Sequence, residues 1–311
     1  MIDDTLSLAA AALRRGEAVV FPTETVYGLG ANALDAAAVA RVFAIKGRPP
    51  DNPLIVHVLD EAAARPLTDG WPEVAHRLAE AFWPGALTIV LPKAPHVPGI
   101  TTAGLDSIAL RAPAHPVARA LLRATGLPLA APSANTSGRP SPTRVDHARA
   151  DLGDRVAIYV DGGPTDLGLE STVVDVRVHP PRLLRPGAIS REAIERITGP
   201  LAPGDAAAAG ASPGTRHRHY APRARVELVD RDRLAARYRE LAASQRVGAV
   251  VTAPVEGVVS ETLGHDPRDW GRRLFAVLRE LEERDVILVE RPPAAIEWEA
   301  VDDRLRRAAS R

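Results

Sequence analysis

Lysine is scarce in this 311-residue chain: of its 39 basic residues only Lys46 and Lys93 are lysines. Lys46 stands in KGRPPDNPLIVH, with Arg48 two residues on. A compact ammonium is a point-charge ligand for phosphate, and a guanidinium can grip two oxygens at once. The pair points to nucleotide chemistry. A second segment, PLAAPSANTSGRPSPT over 128–143, gathers hydroxyls at Ser133, Thr136, Ser137, Ser141 and Thr143 around the amide of Asn135 and Gly138. The apolar run 127–131 reads as a buried strand, which sets this loop at a strand's carboxyl end, where ligands of open α/β sheets bind. Alone, the segment reads equally as an ordinary Ser/Pro turn. Beside Lys46 and Arg48, the anion-binding reading gains.

Other chemistries find no support. Gly28-Leu29-Gly30 lacks the third glycine of a dinucleotide fingerprint, and neither a G-x-x-x-x-G-K-[ST] loop nor a G-x-S-x-G nucleophile turn occurs. Arg216-His217-Arg218-His219 has neither cysteines nor an H-x-x-x-H partner, so no metal site is expected. The absence of cysteine excludes disulfides and thiolate catalysis. Acidic and basic residues balance at 39 each, so anions must be drawn by local clusters and not by a global field. The many arginines and the Ala-rich helices read mostly as compositional bias.

The elements that must position these residues alternate irregularly. Strands are expected over 18–21, 54–59, 86–91, 107–111, 127–131, 157–160, 171–176 and 182–185. Helices are expected over 6–15, 36–45, 72–82, 116–125 and 190–197. Asp35 caps the helix that delivers Lys46 at its end. Several strands follow one another directly, which fits a mixed, curved sheet better than a doubly wound one. GPLAPGDAAAAGASPG, over 199–214, has no apolar periodicity and is the best boundary. Beyond it, strands over 225–229, 247–252 and 285–290 and helices over 231–244, 267–284 and 296–309 make a small βαβ-type domain. With 46% hydrophobic residues there is material for a core, and no 18-residue uncharged run could span a membrane. The first helix carries Asp3, Asp4, Arg14 and Arg15 and lacks a signal-peptide layout, so a cytoplasmic location is expected.

PTETVYGLGANA, KGRPPDNPLIVH, SIALRAPAHP, APSANTSGRPSPT, DGGPTDLGLESTVVD and LLRPGAI, in this order and spacing, resemble the YrdC-type domain of L-threonylcarbamoyl-AMP synthases. SPGTRHRHYAP resembles the linker of the long, two-domain form, and the resemblance covers essentially the whole chain. It implies a YrdC-type curved mixed sheet with helices around a concave cavity over 1–199. A linker or lid follows over 200–223, then a smaller Rossmann-like α/β domain over 224–311. The implied reaction joins L-threonine, bicarbonate or CO2, and ATP into threonylcarbamoyl-AMP and diphosphate, for modification of tRNA next to the anticodon. The implied ATP-binding set is Lys46, Arg48, Asn52, Ser107, Ser133, Asn135, Ser141, Arg185 and Tyr220, with Lys46 and Arg48 closest to the chemistry. The implied threonine-binding set is Thr25, His57, Arg111, Ala131 through its backbone, and Ser171. Mg2+ is expected mainly on the phosphates, with no protein metal site or prosthetic group. The product would pass to the tRNA threonylcarbamoyl-transfer complex, with direct tRNA contact neither required nor excluded. Departures are few: Ser107 where threonine is frequent, Thr215-Arg216-His217 in the linker, and Trp298-Glu299-Ala300 where a Gly-containing turn is common.

Plainer readings stand beside these. Without the resemblance, His57 reads as a hydrogen-bonded core histidine and Arg111 as a structural ion pair. Glu24 and Glu170 read as metal ligands or loop anchors, with loop anchors favoured, Tyr27 and Tyr159 as packing residues, and Lys93 as solvated. Two other functions are conceivable. A hydrogenase-maturation carbamoyltransferase would need acylphosphatase and zinc-finger segments that this sequence does not contain. An RNA-binding module could use a basic surface of Lys46, Arg48 and Arg139, but 4% aromatics offer little to stack bases. Finally, the basic stretch 212–225 is expected to fold over the nucleotide cavity, with Tyr220 covering ATP.

Overall fold

The computed structural model describes residues 2–202 and 219–310. Nine strands form one mixed sheet: β1 (Val19–Phe21), β2 (Gly28–Asn32), β3 (Ile55–His57), β4 (Leu87–Pro92), β5 (Ser107–Arg111), β6 (Leu129–Ala130), β7 (Ile158–Tyr159), β8 (Thr172–Asp175) and β9 (Arg182–Arg185). Their spatial order is β7-β1-β2-β6-β3-β5-β4-β8-β9. Around it lie α1 (Ile2–Arg14), α2 (Ala36–Lys46), the single turn α3 (Glu61–Ala64), α4 (Glu73–Phe82), α5 (Pro116–Thr125), α6 (Val145–Leu152) and α7 (Arg191–Thr198). A second sheet, all parallel, has the order β10-β13-β11-β12, from β10 (Arg225–Val229), β11 (Val247–Val251), β12 (Glu261–Thr262) and β13 (Val286–Glu290). Its helices are α8 (Arg231–Ala242), α9 (Pro267–Glu280) and α10 (Glu299–Ala309).

Local chemistry explains the elements nearest the site. The Asp35 carboxylate accepts the N–H groups of Ala37 and Ala38 at 2.9 and 3.1 Å, which starts α2. Gly47, with φ 61, ends it in the left-handed conformation and leaves Lys46 as the last helical residue. β2 was not expected, because Gly28 and Gly30 weaken a strand pattern. It pairs antiparallel with β1, Gly30 opposite Val19, and a Cβ on Gly30 would come within 2.5 Å of the Phe21 ring. Only glycine leaves room for that ring. α3, α6 and β12 were likewise unexpected, and the last helix starts at Glu299 after a 3-10 turn.

Register then brings site residues side by side. β3 and β5 run parallel with His57 opposite Arg111, while β6 sets Leu129 against the other edge of His57. One core, including Leu54, Val56, Leu87, Ile89 and Leu110, covers one side of this sheet, and Ala9, Leu13, Phe21, Leu121 and Leu129 form another.

A third core joins the two sheets' regions: Val26, Leu169 and Tyr220 pack with Trp270, Leu274, Phe275 and Leu305. The approach is close at Gly168, where a Cβ would lie 2.3 Å from the Gly271 carbonyl oxygen. Buried Asp151 accepts Arg139 and also Arg279 of α9, whose Nη2 lies 2.9 Å away. Most of the expected lid, 203–218 with Thr215 to Arg218, lies outside the described residues; its end is described from His219 onward.

Candidate active site

The turn after β1 is organised by Thr23. Its hydroxyl donates to the Val26 carbonyl at 2.7 Å, accepts the Thr25 and Val26 amides at 3.2 Å, and meets the Thr25 hydroxyl at 2.8 Å. Thr25 Oγ1 in turn accepts Arg111 Nη1 at 2.8 Å. Arg111, at the end of β5, also donates through Nε to the Gly85 carbonyl and pairs through Nη2 with Glu24 at 2.7 Å. Burial pushes the Glu24 carboxyl up, but Arg111 outweighs it and holds the group below its ordinary value. The loop-anchor reading of Glu24 and the ion-pair reading of Arg111 therefore both describe real contacts.

His57 is buried, and burial together with Arg111 pushes its pKa down to about 3, so it is neutral. Its Nδ1 has no hydrogen-bond partner, unlike a satisfied core histidine. Ser171 shares a 2.7 Å hydrogen bond with Thr88. Arg185, the last residue of β9, donates to the Ser171 carbonyl at 2.9 Å and to its hydroxyl at 3.2 Å. The Ala131 N–H is committed to the Ile55 carbonyl, so its backbone would offer a ligand its carbonyl.

The cationic end is arranged differently. Lys46 is buried and donates to the carbonyls of Ser133 and Asn135. Burial, with Arg48 adding, pushes its ammonium well below the ordinary value. Arg48 donates to the Asn52 and Pro53 carbonyls at 3.1 and 2.8 Å, and burial pushes it down to about 9. The Asn135 amide nitrogen bonds the Thr136 and Arg139 carbonyls, which leaves its Oδ1 without a partner. Ser141 donates to Glu170, whose other oxygen accepts Arg304 Nε at 2.9 Å.

These groups surround a cavity of about 50 Å3. All five threonine candidates line it: Thr25, His57, Arg111, Ala131 and Ser171. Of the ATP candidates, Arg48, Ser133, Arg185 and Tyr220 line it, whereas Lys46, Asn52, Ser107, Asn135 and Ser141 are buried outside that lining. Ligand pockets usually span roughly 300–1,000 Å3, so this cavity is too small for a nucleotide. His219 and Tyr220 line it too. Tyr220 holds a left-handed backbone, φ 65, stacks on Phe275 at 5.2 Å, and is followed by Ala221, whose N–H bonds the Gly138 carbonyl of the candidate anion loop.

Two expectations are corrected. Lys93 is not a solvated residue: it is half-buried and donates to the Val97 carbonyl at 3.0 Å. The basic surface offered to RNA does not form either, because Lys46 and Arg48 are buried and Arg139 is paired with Asp151 and Glu282. Sequence reasoning did not single out Thr23 or Arg304, and it held His219 only within the basic stretch 212–225 expected over the cavity. Arg304 carried a legible signal, an arginine within the apolar stripe Val301, Leu305, Ala308 of α10.

The chain matches the family described as "Telomere recombination" (Sua5_yciO_yrdC) over residues 11–187. It matches "Threonylcarbamoyl-AMP synthase, C-terminal domain" over residues 189–310. It is 43% identical to the threonylcarbamoyl-AMP synthase of Pyrococcus abyssi, over 98% of this chain and 94% of that protein. Identity to the Bacillus subtilis threonylcarbamoyl-AMP synthase is also 43%, over 99% and 93%. The crystal structure of Pyrococcus abyssi Sua5 complexed with L-threonine superposes with a TM-score of 0.92 at 42% identity, covering 98% of this chain and 94% of that one. Matched in both of its regions and along nearly its whole length, the chain belongs to the threonylcarbamoyl-AMP synthase family.

Proposed function

We propose that the chain joins L-threonine, bicarbonate or CO2, and ATP into L-threonylcarbamoyl-AMP and diphosphate, a nucleotidyl transfer that supplies the modification of tRNA next to the anticodon. The observation that supports this reading is one cavity whose lining brings the threonine candidates Arg111, Thr25, His57 and Ser171 together with the ATP candidates Arg48, Ser133, Arg185 and Tyr220. Chemistry falls to 1–199, closure to 200–223, and support to 224–311.

Arg111 suits the threonine carboxylate, since a guanidinium binds two oxygens at once. Thr25, His57, Ser171 and the Ala131 carbonyl would read the hydroxyl and the amine. With its pKa pushed down to about 3, His57 acts as a hydrogen-bonding group and not as a proton store. The neutral threonine amine forms an N–C bond to the carbon of CO2 and releases a proton to solvent, or condenses with bicarbonate with loss of water, and gives an N-carboxylate. An oxygen of that carboxylate attacks the α-phosphorus of ATP, the bond to the bridging oxygen breaks, and diphosphate leaves with its electron pair. The reacting partners are anionic, so Lys46, Arg48 and Arg185 would neutralise charge developing on the transferring phosphoryl group, and positioning would supply much of the rate. Mg2+ would ride on the phosphates, since Glu24 and Glu170 each hold an arginine.

Because the cavity is small and His219 and Tyr220 line it, ATP entry would move this end of the linker, and its return would exclude water from a hydrolysable product. The product would then pass to tRNA-modifying enzymes in the cytoplasm; among the described residues no helix is long and apolar enough to cross a membrane. Diphosphate release from ATP tests the proposal. It should require both L-threonine and bicarbonate, and release indifferent to either would overturn it.

A further inference from the structure

The last helix reaches the nucleotide end through one side chain. Arg304 of α10 is fully buried. Its Nε donates to Glu170 at 2.9 Å, and its Nη1 donates to the Pro186 carbonyl at 2.8 Å and to Asp303 at 2.7 Å. Its guanidinium carbon lies 5.4 Å from the centroid of the Tyr220 ring. Glu170 lines the cavity and holds Ser141 through its other oxygen; Tyr220 lines it too. Asp303 is braced by Arg307 one turn on. An unbroken polar chain thus runs from Arg307 through Asp303, Arg304 and Glu170 to Ser141.

Stability alone does not account for this arrangement. A buried ion pair is often no better for stability than well-packed apolar side chains of similar volume. An apolar residue would also continue the stripe of Val301, Leu305 and Ala308. Burial works against the Arg304 charge, yet Tyr220, Glu170 and Asp303 outweigh it and hold its pKa above the ordinary guanidinium value. One donor, Nη2, is buried without a partner. A permanently charged, planar group is held against two residues that line the cavity, Glu170 and Tyr220.

We propose that Arg304 is a positioning residue for ATP: through Glu170 it sets the Ser141 hydroxyl, and through its contact with the Tyr220 ring it sets the closing residue. This makes the C-terminal helix part of the nucleotide site without touching the ligand. The inference rests on the proposed reaction, in which Ser141 and Tyr220 serve ATP.

The test uses the full chain and reads nucleotide and threonine separately: calorimetric Kd for α,β-methylene-ATP and for L-threonine, KM for ATP, and the thermal midpoint. Arg304→Gln should weaken analogue binding and raise KM for ATP by about tenfold or more, the scale of one charge-assisted hydrogen bond. Threonine affinity should stay within about twofold, because Arg304 reaches none of the threonine-end hydrogen bonds. Arg304→Lys, which keeps the charge but loses the fork and the planar face, should fall between. Should Arg304→Gln not fold, the neutral pair Arg304→Gln/Glu170→Gln removes the buried unpaired carboxylate and should regain the fold without regaining nucleotide affinity. A lowered thermal midpoint with unchanged analogue Kd and KM would overturn the inference and leave the proposed reaction standing. A wild-type chain that binds no nucleotide would overturn both.

Discussion

The two ends of the cavity are in different states of readiness. At the threonine end all five candidates line the cavity, and four sit on a strand or beside one: Arg111 ends β5, His57 ends β3, Ser171 precedes β8, and Ala131 follows β6, while Thr25 is held in the turn after β1 by Thr23 and Arg111. At the nucleotide end the cations are turned onto the protein's own backbone: Lys46 onto Ser133 and Asn135, Arg48 onto Asn52 and Pro53, Arg185 onto Ser171. Strand register fixes the first end. Loops, the end of α2 at Lys46, the end of β9 at Arg185 and a linker terminus make the second, where phosphate would exchange with carbonyls for the same donors. On the proposed assignment the amino acid meets side chains that already line the cavity, with Arg111 itself engaged by Gly85, Thr25 and Glu24, whereas ATP must reorganise its own end.

Removing a cation should separate the two ends most strongly. Lys46→Met and Arg48→Met keep side-chain volume, and each should cost about 1.5–3 kcal/mol in kcat/KM for ATP, the range for a hydrogen bond to a charged group. Calorimetry should find threonine affinity nearly unchanged in both. Wild-type ATP kinetics in both variants would break the assignment of these residues to phosphate.

The threonine end is sharpened by its choice among amino acids. Serine lacks only a methyl group and should lose roughly 1–3 kcal/mol in kcat/KM. Valine fits the volume but lacks the hydroxyl, so a neutral, otherwise unpartnered His57 Nδ1 or the Thr25 and Ser171 hydroxyls would be left unmatched in a buried site, and discrimination should be larger. Equal Kd values for threonine and valine would show that the hydroxyl is not read.

How much of this was legible follows the same division. The cap at Asp35 and the stop at Gly47 put Lys46 at a helix end in the sequence as in the structure. Strands such as β5 and β9, and the direct succession of strands, were readable from apolar runs. β2 was not, since its glycines answer to the Phe21 ring on a neighbouring strand, a contact no local pattern carries. Charges were legible but not their partners: nothing near Lys46 announces the carbonyls of Ser133 and Asn135, 87 and 89 positions away. Arg304 could be seen to lie in an apolar stripe, yet its reach to Glu170 exists only after the two sheets' regions pack.

Closure gives a smaller effect. The Tyr220 hydroxyl is buried without a partner, so Tyr220→Phe removes no hydrogen bond and should leave the thermal midpoint within about 0.5 kcal/mol of wild type in stability. If that hydroxyl waits for ATP, KM for ATP should rise by about fivefold, the net worth of roughly 1 kcal/mol for a neutral hydrogen bond. Threonine binding should not move. An unchanged KM would restrict Tyr220 to covering the site through its ring.

The smallest effect is expected from pH at the threonine end. Burial and Arg111 depress the His57 pKa to about 3, below the ordinary unfolded value near 6.5. Between these values the unfolded chain binds the proton and the folded chain does not. The stability that His57 contributes is therefore fully present above about pH 6.5 and is lost progressively as pH falls toward 3; His147, pushed down to about 4 by burial and Arg279, acts in the same direction. The thermal midpoint should decline as pH drops below about 6.5, with no matching change in recognition, since His57 stays neutral in the folded protein across that range. Calorimetric threonine affinity should thus be flat from pH 8 to about pH 6 once the ligand's own ionisation is subtracted. A step in affinity centred near pH 6.5 would mean that His57 titrates in the folded site. It could then take a proton from the threonine ammonium, and the preformed end of the cavity would be a participant in the carboxylation step.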